Sequence, residues 1–183
     1  MDSLKGHFLV GSPHLNDPNF YRSVVLMVQH DAEGALGLIL NRPTQNTVAD
    51  IWEMVAERPS QCDRPIYLGG PVAGPLMVVH TQLAFSELQI VAGVHFSTQK
   101  QNLEHIVDSE NRRFLLFSGY SGWGAGQLER ELKMGGWLTI EAIDDDVFYE
   151  GDDLWERLVS QIGQEIIAPA IGRSSIPPDP NWN

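Results

Sequence analysis

The sequence predicts an α+β protein built on a mainly antiparallel sheet, with about four helices packed around it. Three observations carry this. Many short apolar runs of strand length occur between turn formers; several of these runs follow one another with no helix of crossover length between them; and about four segments have apolar residues at helical spacing. With 183 residues, 43% hydrophobic and 20% charged, the composition suits a single compact domain. Residues 1–183 are accordingly read as one domain, with 172–183 as a tail.

His7 to Val10 is the first strand, closed by Gly11-Ser12-Pro13, and Asn16-Asp17-Pro18-Asn19 is dense in turn residues. Ser23 to His30 (SVVLMVQH) and Ala35 to Leu40 flank the turn Asp31-Ala32-Glu33-Gly34 and read as a hairpin. Nearly every residue of both strands is apolar, so both faces of the hairpin are covered. Asn41-Arg42-Pro43 stops the second strand, and Thr47 is the expected N-cap of a helix running through Trp52 to Val55.

Ile66 to Leu68, Pro75 to His80, Leu88 to Val91 and Val94 to Phe96 are further strands, and Thr98 to Val107 is a second helix with Leu103, Ile106 and Val107 on one face. Phe114 to Gly119 leads into GYSGWGAGQLERELKMGGW (Gly119 to Trp137), which reads as strand, glycine loop, helix. Trp137 to Ile143 is a strand, Asp144-Asp145-Asp146 an acidic turn, and Asp152 or Asp153 caps a last helix expected to stop at Gly163. The tail from Gly172 holds Pro177, Pro178 and Pro180 beside Trp182, an aromatic suited to docking on its own domain or a partner.

The net charge of −12 repels a phosphate backbone, and no basic stripe offsets it, which argues against direct nucleic-acid binding. One cysteine, Cys62, excludes an internal disulfide. The N-terminus lacks the features of a signal peptide and no apolar run reaches membrane-spanning length, so a cytoplasmic location is expected. The six histidines contain no metal-binding pair spacing, and no cofactor or metal is indicated.

The glycine segment misses two better-defined signatures. G-x-S-x-G fails because Trp123 follows Gly122, and G-x-G-x-x-G fails because Gly126 comes one residue early. Two readings of Gly122, Gly124, Gly126 and Gln127 stand: a backbone-packing turn with Tyr120 and Trp123 in the core, or a ligand site at the start of the following helix. The polar residues Arg22, His30, Asn41 and Arg42 at strand ends are candidate partners of that ligand site. His30 and Asn41 sit at opposite ends of the hairpin, so no single acid–base triad follows. A third possibility, a redox thiol, requires an exposed Cys62.

The segments FLVGSP, DPNFYRSVV, QHD and GALGLILNRP between Phe8 and Pro43, then YLGGPV, GYSGWGAGQLERE and the terminal DPNWN, together resemble the AlgH/YqgE family of uncharacterised bacterial proteins. The resemblance spans nearly the whole chain, with the motifs in the same order. It implies a strongly twisted, barrel-like sheet, and the family name's link to transcriptional regulation implies an indirect regulatory role. Two positions depart from the family. Relatives commonly carry cysteine in place of Val28, and alanine in place of Ser121. The expected function is thus a non-catalytic regulatory or accessory binding protein, whose partner is a protein or a small molecule; the alternative is a ligand-binding protein or enzyme with a pocket at Gly122 to Gln127.

Overall fold

The computed structural model describes residues 2–109 and 113–171, so the tail with Trp182 lies outside the described residues. Among the described residues eleven strands form two sheets. The first contains β1 (His7–Gly11), β2 (Val24–Asp31), β3 (Gly34–Ile39), β10 (Ser121–Gly124) and β11 (Trp137–Glu141), in the order β10-β3-β2-β1-β11 with every pairing antiparallel. The second contains β4 (Pro43–Thr47), β5 (Pro65–Leu68), β6 (Met77–His80), β7 (Leu88–Val91), β8 (Val94–Ser97) and β9 (Phe114–Ser118), in the order β4-β5-β9-β6-β8-β7. Among the described strands only β5 and β9 pair in parallel. The α+β, mainly antiparallel class is as expected, but the strands divide between two sheets and do not close into one barrel.

Alternation along the strands sorts the core into layers. Phe8, Leu26 and Leu38 of the first sheet share a cluster with Val79, Leu115 and Phe117 of the second, and Leu154, Trp155 and Leu158 of α5 (Leu154–Ile171) join it. On the other face of the second sheet, Val78 and Leu116 pack with residues of α1 (Val48–Ala56) and α2 (Lys100–Asp108). On the other face of the first, Leu9, Val25 and Ile39 pack with Trp123, Trp137 and Leu128 of α3 (Gln127–Lys133). The hairpin strand β2 lies mid-sheet with both faces buried, which is why its sequence is almost uninterruptedly apolar.

Thr47 caps α1 as expected, in a reciprocal box: its hydroxyl accepts from the Asp50 amide, and the Asp50 carboxylate accepts from the Thr47 amide at 2.6 Å. The chain differs from expectation elsewhere. Pro43 opens β4 on a sheet edge, a place where proline's missing N–H is tolerated. The acidic turn forms the single-turn helix α4 (Asp144–Val147), in which Asp146 is buried and paired with Arg157 at 2.7 Å. Gly163 lies inside α5, where an added β-carbon would meet nothing within 4 Å outside the helix's own backbone, so it weakens the helix without ending it. Cys62 is only 1% exposed and packs in the α1–α2 layer, which removes the exposed thiol that redox chemistry requires. Val28, where the family resemblance implies a cysteine, is a buried core residue at the bulge in the β2–β3 pairing.

A polar knot inside the second sheet makes stability pH-dependent. His80 is fully buried; its Nδ1 accepts from the Gln82 amide at 3.2 Å, and its Nε2 lies 3.1 Å from Ser97 Oγ. The Ser97 hydroxyl donates to the Phe85 carbonyl, so Nε2 carries the proton towards Ser97 and the ring is neutral. Burial, and then the neighbouring His95, push the His80 pKa from 6.5 down to about 4, against a smaller upward pull from Glu87. The unfolded chain therefore binds this proton where the native chain does not. The contribution of His80 is intact above pH 6.5 and is lost progressively as the pH falls towards about 4. At pH 5 the loss relative to pH 7 should reach roughly 2 kcal/mol. Urea unfolding at the two pH values tests this, with the His80→Asn variant expected to show a correspondingly smaller decline.

Candidate functional site

The glycine motif is the joint between the sheets. β9 belongs to the second sheet and β10 to the first, and Gly119, at φ 73°, turns the chain from one to the other. The YLGGPV segment clasps this joint. Gly69 donates to the Ser118 carbonyl at 3.0 Å, Val72 and Tyr120 exchange backbone hydrogen bonds, and Ser121 Oγ donates to the Gly69 carbonyl at 3.1 Å. A β-carbon on Gly69 would stand 2.3 Å from the Gly119 oxygen, and one on Gly70 2.3 Å from the Tyr120 carbonyl carbon. Both glycines are thus required by close backbone approach. Ser121 is fully buried with its hydroxyl engaged, an architectural position and not that of a nucleophile.

The helix that follows ties three groups to itself. Gln127 Oε1 accepts from the Gly124 amide at 3.1 Å. Glu129 lies 3.1 Å from His30 Nε2, while His30 Nδ1 accepts from the Leu4 amide at 2.9 Å. Nε2 is therefore the donor to Glu129, whose carboxyl is held below the usual range by its own backbone amide and by His30. Glu131 Oε2 accepts from both indoles, Trp123 Nε1 at 3.0 Å and Trp137 Nε1 at 2.9 Å, and Oε1 accepts from Gln127 Nε2 at 2.9 Å. Gln127, Glu129 and Glu131 thus bond the β10 loop, the hairpin end and the two tryptophans.

Against this framework lies an open cavity of about 560 Å³. One side is the turn after β1, through Ser12, His14, Asn16 and Asp17. The other is Gly122, Gln127, Glu131 and the Met134 to Gly136 corner after α3. Its aromatic wall is a packed triad: Phe20 stacks on Trp123 at 5.9 Å between centroids, and Trp137 meets Phe20 at 5.2 Å and Trp123 at 6.0 Å edge-on. Trp123 and Trp137 are 5% and 4% exposed, so their indole N–H groups depend on Glu131 for a partner.

Of the residues expected to form a site, Gly122 and Gln127 line this cavity, and Gly124 and Gly126 lie next to it in the loop without lining it. Gly126, at φ 69°, starts α3, and its first-turn Glu129 is occupied by His30. Arg22, Asn41 and Arg42 gather elsewhere. Asn41 donates to the Arg22 carbonyl at 2.8 Å and accepts from the Val24 amide, while Arg42 donates to the Tyr21 carbonyl. Arg22, at φ 50°, reaches Glu156 at 3.4 Å and lies over the Trp155 ring. These are the bonds of a locked turn. His30 is at the far end of the hairpin, on Glu129. The residues not anticipated as site-forming are Glu131 and the Ser12 to Asp17 turn.

The AlgH-like family model matches residues 8–167. The chain belongs to the AlgH-like family. A UPF0301 protein of Cupriavidus pinatubonensis is 39% identical over 153 residues, covering 80% of each chain, and one of Vibrio vulnificus is 36% identical over 173 residues, covering 88% of this chain and 92% of its own. The solution structure of the AlgH protein from Pseudomonas aeruginosa superposes with a TM-score of 0.74 at 31% identity over 94% of both chains. A Corynebacterium diphtheriae protein shares the fold at TM-score 0.72 and 22% identity, with 88% of each chain covered. The AlgH-like core of 8–167 thus includes both glycine segments and α3. Among the described residues no helix is long and apolar enough to cross a membrane, and no three His, Cys, Asp or Glu residues are grouped to hold a metal ion.

Proposed function

We propose that this AlgH-like chain is a non-catalytic binding protein of accessory or regulatory kind, and that it recognises a small organic molecule in the cavity beside the glycine loop. The observation that carries the reading is the cavity itself. At about 560 Å³ it falls in the size range of small-molecule sites, and it combines an aromatic wall with a few polar groups of fixed orientation. Glu131 is fixed by three donors before any ligand arrives, which lowers the ordering cost of binding. The loop that builds this wall is the joint between the two sheets, so occupancy bears on a part of the molecule to which both sheets are tied.

Native mass spectrometry of protein purified without dialysis, followed by extraction and metabolite profiling, tests the reading. A co-purifying organic molecule is expected, recovered chemically unchanged after incubation with the protein and displaced in the His14→Trp variant, which places bulk on the cavity wall. Conversion of the molecule, or equal retention by the variant, would contradict it.

A further inference from the structure

We infer that the cavity selects organic cations: molecules with an apolar body and an ammonium group; this inference rests on the cavity being a binding site. The ionisable residues lining it are Asp17 and Glu131, two carboxylates, together with the exposed imidazole of His14, and neither lysine nor arginine contributes to its walls. Glu131 receives three donors, two on Oε2 and one on Oε1. A carboxylate offers about four lone-pair sites, so one acceptor position remains, on Oε1. An incoming N–H group satisfies it; an incoming carboxylate or phosphate finds only repulsion there.

The aromatic triad adds an apolar surface. Phe20, Trp123 and Trp137 wall the cavity beside the carboxylate, a combination that suits a cation with an adjoining apolar body. The overall charge of −12 acts in the same direction at long range, concentrating cations near the surface and slowing the approach of anions. On its cavity side the helix presents Glu131, which disfavours an anion there, while the Arg130 guanidinium lies on the loop at Gly126 and outside the cavity lining.

Isothermal titration with three probes of similar size tests the assignment: 2-phenylethylammonium, 2-phenylethanol and phenylacetate. The ammonium should bind about tenfold or more tighter than the alcohol, and phenylacetate more weakly than either. Glu131→Gln should remove most of the preference for ammonium over alcohol; Asp17→Asn, at an exposed turn whose hydrogen bond to the Asn19 amide an asparagine oxygen can keep, should reduce it without disturbing the tryptophan clamp. Equal binding of ammonium and alcohol, or tighter binding of phenylacetate, overturns the cation assignment while leaving the cavity a binding site. Failure of all three probes to bind overturns both.

Discussion

Gly70→Ala should destabilise the protein by on the order of 4 kcal/mol, or prevent folding altogether. The added β-carbon would stand 2.3 Å from the Tyr120 carbonyl carbon and 2.4 Å from both the Ser121 amide nitrogen and Oγ. The first two are backbone atoms, held by the Val72–Tyr120 exchange, so the clash cannot be relieved by rotating a side chain. Gly70 also sits at φ 155°, a conformation that L-residues avoid. Gly93→Ala is the control. Gly93 has φ 76° but nothing within 4 Å of a β-carbon, so that substitution carries backbone strain alone, about 1 kcal/mol. Thermal unfolding should separate the two by about 10 °C. Equal shifts would mean that the clasp between the YLGG and GYSG segments does not hold the sheets together.

Glu131→Leu should cost about 3 kcal/mol, because two buried indole N–H groups lose their shared acceptor. Glu131→Gln is expected to be milder. Its amide oxygen keeps the two indoles, but its NH₂ then faces the Gln127 NH₂, donor against donor. Adding Gln127→Glu restores an acceptor opposite that NH₂ and keeps an acceptor for the Gly124 amide. The double variant should therefore be more stable than Glu131→Gln alone, a non-additivity read from urea unfolding. Simple additivity would contradict the clamp.

How much of this was legible in the sequence depended on whether the cause was local. The β2–β3 hairpin declared itself because a mid-sheet strand needs apolar residues on both faces, and Thr47 because a cap is a contact within three residues. β10 was hidden. Ser-Gly-Trp-Gly has little strand character of its own, and it is extended because it pairs with Gly34 to Gly37, far away in the chain. The division into two sheets was hidden for the same reason, since the crossing from β9 to β10 happens inside the glycine turn. Gln127 and Gly122 were legible as site candidates from the motif. Glu131 was within reach too, as a carboxylate between two tryptophans at 123 and 137, but its partners are named only by the fold. The Ser12 to Asp17 wall meets the α3 corner across more than a hundred residues, and neither turn chemistry nor periodicity encodes that meeting.

The central claim, that the cavity beside the glycine loop is a binding site, is tested most directly by following the indole N–H signals in ¹⁵N-labelled protein during titration with 2-phenylethylammonium. The chain has five tryptophans, and two of them wall the cavity. The Trp123 and Trp137 signals should shift and saturate together, while those of Trp52, buried on the inner face of α1, and Trp155, bonded to the Gly11 carbonyl, stay in place. Trp123 and Trp137 signals that stay stationary with 2-phenylethylammonium and equally with 2-phenylethanol and phenylacetate, or a larger shift at Trp155, would contradict the claim.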